Sequence, residues 1–325
     1  MHISIQPVNI GILGAGRIVQ RRMLPAFPQS QHGRLVAIAS RRPGVAEPLV
    51  AGQSAIKVYS DYADVLQDDN VEAVYIPAAG DQHHPLTIAA AEAGKHVLCE
   101  KPLACTVAQA VEMQQACREA GVILMDAFMW RHHPRALKMR EMVQSGQLGA
   151  LRVINVSFSF DIDRSDWRLD PARGGGAVWD LGCYGVNCAR YLTGEEPQDI
   201  YSRTVRWSTG ADMTTQVALN FERGTLANID CSFEAPFRCR LEVVGTGGRL
   251  ELDRAFQNEP GCVIRWTKSA DRDAETEEIS FPDTDQFACE LDHFCTSIRA
   301  GKLLSPAEDG VANMRVMESI ASQWT

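Results

Sequence analysis

Residues 174–194 read GGGAVWDLGCYGVNCARYLTG and set a carboxylate and a phenol four positions apart, Asp180 and Tyr184, just beyond three glycines. Val178, Leu181, Cys188 and Leu192 recur at helical spacing, and Gly194 suits the left-handed position past a helix end. On such a helix Asp180 and Tyr184 share a face. A phenol placed beside a carboxylate is a candidate proton carrier. The segment alone favours a plainer reading, a buried tyrosine hydrogen-bonded to a helix-start acid. The glycines beside them let other groups approach closely.

A scaffold must hold these groups. In the first part, the apolar runs Val8–Leu13, Leu35–Ala39, Ala73–Ile76, His96–Cys99 and Val122–Met125 alternate with helical stretches. Gly94 follows one such stretch, and Thr106-x-x-Gln109 is a capping-box pattern that opens the next. Strands alternating with helices predict a parallel, doubly wound sheet, an α/β Rossmann domain over residues 1–126.

After Gly149 the rhythm changes. Leu151–Phe160, Ile200–Trp207, Thr215–Phe221, Leu226–Phe233, Leu241–Val244 and Cys262–Trp266 alternate in polarity, with turn clusters between them. These predict an α+β domain over residues 127–325 with a large open, mostly antiparallel sheet. Helices are expected from Phe287 to Ala300 and from Pro306 onward.

The 325 residues are ample for two cores, and 45% apolar with 22% charged residues is an ordinary globular composition. A net charge of −9 argues against nucleic acid or an anionic membrane as the main partner. No apolar run approaches a membrane span, and the N-terminal residues lack a charged leader with a long apolar core. The ten cysteines form no C-x-x-C pair and read as reduced thiols of a cytoplasmic protein. The pairs His83-His84 and His132-His133 have no metal-site partners, so no metal is expected.

The first apolar run ends in Gly14-Ala15-Gly16-Arg17-Ile18-Val19, matching the first two glycines of a dinucleotide loop, with Val19 at the third position. Gly14, Gly16, Arg17 and Ile18 are the expected pyrophosphate-binding turn, through N–H groups at a helix start. The second run ends Ala39-Ser40-Arg41-Arg42 and brings no acid until Glu47. Ser40, Arg41 and Arg42 suit a 2′-phosphate better than a free ribose hydroxyl, which points to NADP(H) over NAD. The run that starts at His96 leads into Glu100-Lys101-Pro102, at the sheet edge where such folds bind ligands.

Together, GILGAGRI, AGKHVLCEKPL, DAFMWRHHP, the segment from Gly174 to Gly194 and FACELDHFCTSIRAGK resemble the glucose–fructose oxidoreductase/inositol dehydrogenase (Gfo/Idh/MocA) family. The similarity spans nearly the whole chain, in the branch resembling dimeric dihydrodiol dehydrogenase and NADP-dependent xylose dehydrogenase. It implies a substrate face on the second domain's sheet, and a homodimer or higher homo-oligomer through that sheet. It assigns Lys101 to the catalytic lysine, Asp180 to the helix aspartate, and Tyr184 to a position occupied by His or Tyr among members. Glu100 and Lys101 lie on the cofactor side, as does His83, although Ala79-Gly80 replace the usual Pro-Asn before it. The glycines then admit substrate and nicotinamide to the helix.

The implied reaction is hydride transfer between NADP(H) and a secondary alcohol, ketone or lactol carbon of a sugar, polyol or cyclic diol. Tyr184 or Lys101 carries the proton and the other polarises the oxygen. Asp180 orients them, with Arg131 and Arg168 as substrate-side donors. The alternative is a non-catalytic NADP-binding or sensor module.

Overall fold

The computed structural model describes residues 6–303 and 308–324. The chain divides into two compact units: Met1–Met129 with Asp285–Val311, and Trp130–Thr284 with Ala312–Thr325.

The first unit is built on a six-stranded sheet of β1 (Val8–Leu13), β2 (Gly33–Ala39), β3 (Lys57–Tyr59), β4 (Ala73–Ile76), β5 (His96–Glu100) and β6 (Leu124–Ala127), in the order 3-2-1-4-5-6. Every pairing is parallel. The central strands are buried along nearly their whole length, as a sheet covered on both faces requires. Helices Gly80–Glu92 and Val107–Glu119 lie between strands, the second capped by Thr106 Oγ1, which accepts from Gln109 N at 3.2 Å. The helical run after the glycine turn is π-helical over Val19–Met23, so a wider turn coincides with fully buried Val19.

Sequence order alone places everything past residue 126 in the second domain, yet the helix Gln286–Arg299 lies with the first unit. Its apolar stripe of Phe287, Leu291, Phe294 and Ile298 is buried. The Asp292 carboxylate accepts from Ser30 Oγ at 2.6 Å, Gln31 N at 2.8 Å and His32 N at 2.9 Å. Arg299 pairs with Glu72 at 2.6 Å. Capping one loop and pairing at the far end ties this return segment down.

The second unit carries eight strands: β7 (Leu151–Ser159), β8 (Asp199–Arg206), β9 (Asp212–Asn220), β10 (Leu226–Ser232), β11 (Arg238–Gly245), β12 (Gly248–Asp253), β13 (Val263–Thr267) and β14 (Thr276–Ser280). Their order is 14-13-12-11-7-10-9-8, antiparallel throughout except for the parallel pair β7–β10. Ile154, Val156, Phe158, Ile229, Cys231, Leu241 and Val243 point to one buried face. The other face carries a polar ladder in which Asn155 donates to Glu242 at 2.8 Å and accepts from Asn228 at 3.0 Å. Tyr201, Val205 and Leu226 are its exposed apolar residues.

Strands β3, β12 and β14 are additions to the expected set. The first has three residues, and TEEIS in β14 is an exposed edge strand with no apolar alternation to reveal it. The last helix runs Glu308–Ala321, and its expected start at Pro306 lies outside the described residues.

Candidate active site

In the first unit, the glycine turn, the Ser40 segment and Lys101 all follow the carboxyl ends of strands in one parallel sheet. Gly14 has φ +145°, a conformation that L side chains rarely adopt, and Pro77 packs against it at 3.3 Å from where a Cβ would stand. Nothing lies within 4 Å of a Cβ position on Gly16, so the turn is open where a pyrophosphate needs close backbone approach. Arg17 is exposed and Ile18 half-buried at the start of the helical run. Ser40 is buried and folds the next turn, its hydroxyl donating to Arg42 O at 3.0 Å and accepting from Arg42 N at 3.2 Å. Arg41 and Arg42 are exposed, and the Arg41 guanidinium lies over the Tyr62 ring, 4.3 Å from its centroid. An open glycine turn and two arginines past the second strand fit an NADP cofactor.

Glu100 ends β5 with its carboxylate engaged by the protein. Oε1 accepts from Tyr75 OH at 2.6 Å, and Oε2 from Lys101 N at 3.2 Å. Lys101 is half-buried, and its peptide bond to Pro102 is cis. His83 is fully buried, with Nδ1 2.9 Å from Pro102 O and Nε2 2.9 Å from Ala78 O. Burial lowers its pKa, opposed by the carbonyls of Ala78, Pro102 and Leu103. His83 therefore laces the Ala78-Ala79-Gly80 loop to the Lys101-Pro102 turn. Glu100 and His83, which the family resemblance puts on the cofactor side, both bond the Lys101-Pro102 turn.

In the second unit Gly175 and Gly176 make room for groups of the protein itself. A Cβ on Gly175 would collide with Arg168 O, and one on Gly176, at φ +132°, with the Asp212 carboxylate. The glycines thus admit the protein's own groups. Through that gap Asp212 Oδ2 accepts from Val178 N at 2.7 Å and from Thr215 Oγ1 at 3.3 Å, capping the helix start from strand β9. Burial pushes the Asp212 carboxyl up to about 6, against these hydrogen bonds.

The capped segment Val178–Gly182 is π-helical and passes into the α-helix Cys183–Thr193, so Asp180 and Tyr184 flank a π/α junction instead of lying on one regular α-helix. Here the helix presses on the sheet. A Cβ on Gly185 would stand 2.6 Å from Ile229 Cγ2, and one on Gly182 3.2 Å from Cys231 Sγ. Tyr184 is 5% exposed, its ring stacked on Phe256 at 5.2 Å and edge-on to Phe158 at 5.6 Å. Phe256 is aimed from the turn after β12. Buried Arg135 donates to Asp253 O at 3.0 Å and to Arg254 O at 2.6 Å in that turn.

Arg168 Nε lies 3.1 Å from Asp180 Oδ2, and Nη1 3.2 Å from Asp166 Oδ2. Asp180 chiefly, with Asp166 and Tyr184, raises the pKa of this guanidinium against the cost of burial. Arg131 is buried and lies over the Tyr191 ring at 4.8 Å, with Arg140 on the same ring at 4.5 Å. The structure therefore gathers Arg168, Asp180 and Tyr184, and Arg131 lies over the Tyr191 ring. Asp212, Phe256 and Arg135 escape the sequence reading, because each supports the Tyr184 helix or its ring from a segment with no motif of its own. Among the described residues, no group of three or more His, Cys, Asp or Glu side chains is placed to hold a metal.

Residues 8–128 match the oxidoreductase family model with the NAD-binding Rossmann fold, and residues 136–251 match the GFO/IDH/MocA C-terminal domain. The chain is 35% identical to D-xylose 1-dehydrogenase (NADP(+)) 2 of Haloferax volcanii over 313 residues, covering 95% of this chain and 94% of that protein. Among solved structures, aldose-aldose oxidoreductase from Caulobacter crescentus superposes with a TM-score of 0.89 at 30% identity, over 98% of this chain and 97% of the other. A 3-ketoreductase from Actinomadura kijaniata, solved with NADP and TDP-benzene, gives a TM-score of 0.87 at 28% identity, over 98% of each chain. The glycine turn, the Glu-Lys-Pro turn, the Asp180–Tyr184 helix and the eight-stranded sheet thus occur in a chain that belongs to the Gfo/Idh/MocA oxidoreductase family.

Proposed function

We propose that this chain is an NADP-dependent dehydrogenase or reductase acting on a secondary alcohol, ketone or lactol carbon of a sugar, polyol or cyclic diol. The arrangement that carries the proposal is a buried phenol, Tyr184, near a carboxylate that Arg168 holds, on a helix fixed by Asp212. When bound, the nicotinamide supplies or accepts the hydride. Gly14, Gly16, Arg17 and Ile18 hold its pyrophosphate, and Ser40, Arg41 and Arg42 its 2′-phosphate. Tyr184 gives or takes the hydroxyl proton and Lys101 polarises the substrate oxygen. Asp180 orients the phenol or a substrate hydroxyl. Arg168 sets Asp180 and leaves substrate contact to others. Similarity to a xylose dehydrogenase and an aldose oxidoreductase supports a sugar-like substrate.

Absorbance turnover of NADP(H) against sugars, polyols and cyclic diols tests this. Turnover of at least one class is expected. NADPH binding without turnover of any would leave an NADP-binding sensor module.

Two further assignments belong with the proposal. The chain forms a homodimer through the outward face of the eight-stranded sheet, where Tyr201 and Val205 are 67% and 59% exposed. A monomer by light scattering at micromolar concentration would reject it. The cytoplasm is the proposed compartment, which suits ten cysteines that form no disulfide.

A further inference from the structure

Tyr62 belongs to no motif, and the assignments above give it no task. It opens the short helix Tyr62–Gln67, which Asp61 caps by accepting from Ala63 N at 3.0 Å. The capping fixes where the Tyr62 ring emerges, and two contacts define what the ring touches. The Arg41 guanidinium lies over one face, 4.3 Å from the centroid. The phenol oxygen lies 3.8 Å from the position a Cβ would take on Gly14. One half-buried side chain thus reaches from the glycine turn to the arginine past the second strand.

Arg41 is exposed and long, so without a rest it would sample many rotamers and lose them when an anion binds. An aromatic face removes that freedom in advance. A guanidinium held in this way keeps its N–H fork for phosphate oxygens, while a carboxylate partner would occupy the fork. The nearest acid in sequence to Tyr62, Asp61, is engaged in capping. Ser40 directs its hydroxyl to the main chain of Arg42, which leaves Arg41 as the arginine resting on the ring.

We propose that Tyr62 is a specificity-determining residue, which sets the preference for a 2′-phosphorylated cofactor by preorganising Arg41 on its ring. The proposal rests on the assignment of Arg41 to the 2′-phosphate. Removing the ring should weaken binding of NADPH and leave NADH nearly untouched, because only the phosphorylated cofactor uses the waiting guanidinium.

The test is binding, measured without turnover. Dissociation constants of NADPH, NADH, adenosine 2′,5′-bisphosphate and 5′-AMP are compared for the unmodified chain, Tyr62→Leu, Tyr62→Phe, Arg41→Ala and the double variant Arg41→Ala/Tyr62→Leu. Tyr62→Leu should weaken both 2′-phosphorylated ligands by roughly 2–5-fold relative to their unphosphorylated counterparts, the worth of an exposed cation–π contact. Tyr62→Phe keeps the ring and should keep the preference. In the Arg41→Ala background, Tyr62→Leu should have no further selective effect. Equal losses for NADPH and NADH in Tyr62→Leu would overturn the proposal and leave the ring a plain wall. An unchanged NADPH preference in Arg41→Ala would instead remove the 2′-phosphate assignment, and the proposal with it.

Discussion

Arg168 Nε stands 3.1 Å from Asp180 Oδ2 while its Nη1 holds Asp166 at 3.2 Å, so one guanidinium bridges two carboxylates beside the Tyr184 helix. This bridge fixes which rotamer Asp180 presents and offsets the cost of half-burying its charge. The role proposed for Arg168 is to set Asp180.

Arg168→Ala should lower kcat more than it raises substrate KM, since it frees Asp180 without removing a substrate contact. A charge-assisted hydrogen bond is worth roughly 1.5–3 kcal/mol, or about 10–150-fold in rate if its whole effect falls on the transition state. Arg168→Lys should recover only part, because an ammonium lacks the fork that spans two acids. A large rise in KM with kcat unchanged would make Arg168 a substrate ligand instead.

Asp212 makes stability depend on pH in a direction opposite to that of an ordinary paired carboxylate. Its folded pKa of about 6 lies above the ordinary 3.8, so the folded chain keeps a proton that the unfolded chain has already lost. Its contribution is therefore most favourable below about pH 4 and is lost as pH rises to about 6, a change on the order of 3 kcal/mol for roughly two pKa units. Asp212→Asn retains an oxygen for Val178 N and has no proton to lose. Denaturant melts from pH 4 to 7 should show a shallower fall in stability for the variant. Identical pH profiles would mean that Asp212 is ionised in the fold throughout.

Phe256 should matter to rate beyond its packing. Phe256→Leu keeps most of the volume and should cost less than about 1.5 kcal/mol of stability. It removes the face stacked on Tyr184 at 5.2 Å. The folded variant should bind NADPH normally yet turn over several-fold more slowly with a shifted pH–rate profile, and Phe256→Tyr should rescue the rate. An unaltered pH–rate profile in Phe256→Leu would confine Phe256 to the core.

What the sequence reveals here is local order, and what it hides is support from a distance. The glycine turn was legible because glycines between an apolar run and a helix have few other causes. Lys101 was legible because it follows a buried strand inside a distinctive Glu-Lys-Pro context. The spacing of Asp180 and Tyr184 reads as α-helix because π-helical Val178–Gly182 uses the same residue types and differs by one inserted turn position. The glycines at 175 and 176 were expected to admit ligand, and no local pattern reveals that Asp212, 36 residues beyond Gly176, fills that space. Glu100 and His83 are placed on the cofactor side by the family resemblance, and nothing local in the sequence shows which of the protein's own groups they bond. Their bonds to Tyr75 and to the carbonyls of Ala78 and Pro102 depend on strands meeting in the sheet. Helix Gln286–Arg299 returns to the first unit through Asp292 and Arg299, both ordinary surface-type residues in sequence.

Tyr184 carries the proposed chemistry, and single-turnover hydride transfer in Tyr184→Phe tests it most directly. The ring remains between Phe256 and Phe158, so folding and NADPH affinity should be preserved. Without the phenolic proton, hydride transfer to or from a substrate found in the turnover panel should slow by roughly 10²–10⁴-fold. Lys101→Ala should be at least as slow, and the double variant should fall well short of the product of the two losses, because groups acting on one oxygen are not independent. Hydride transfer at the full rate in folded, NADPH-bound Tyr184→Phe would contradict the account and leave Tyr184 a packed core residue.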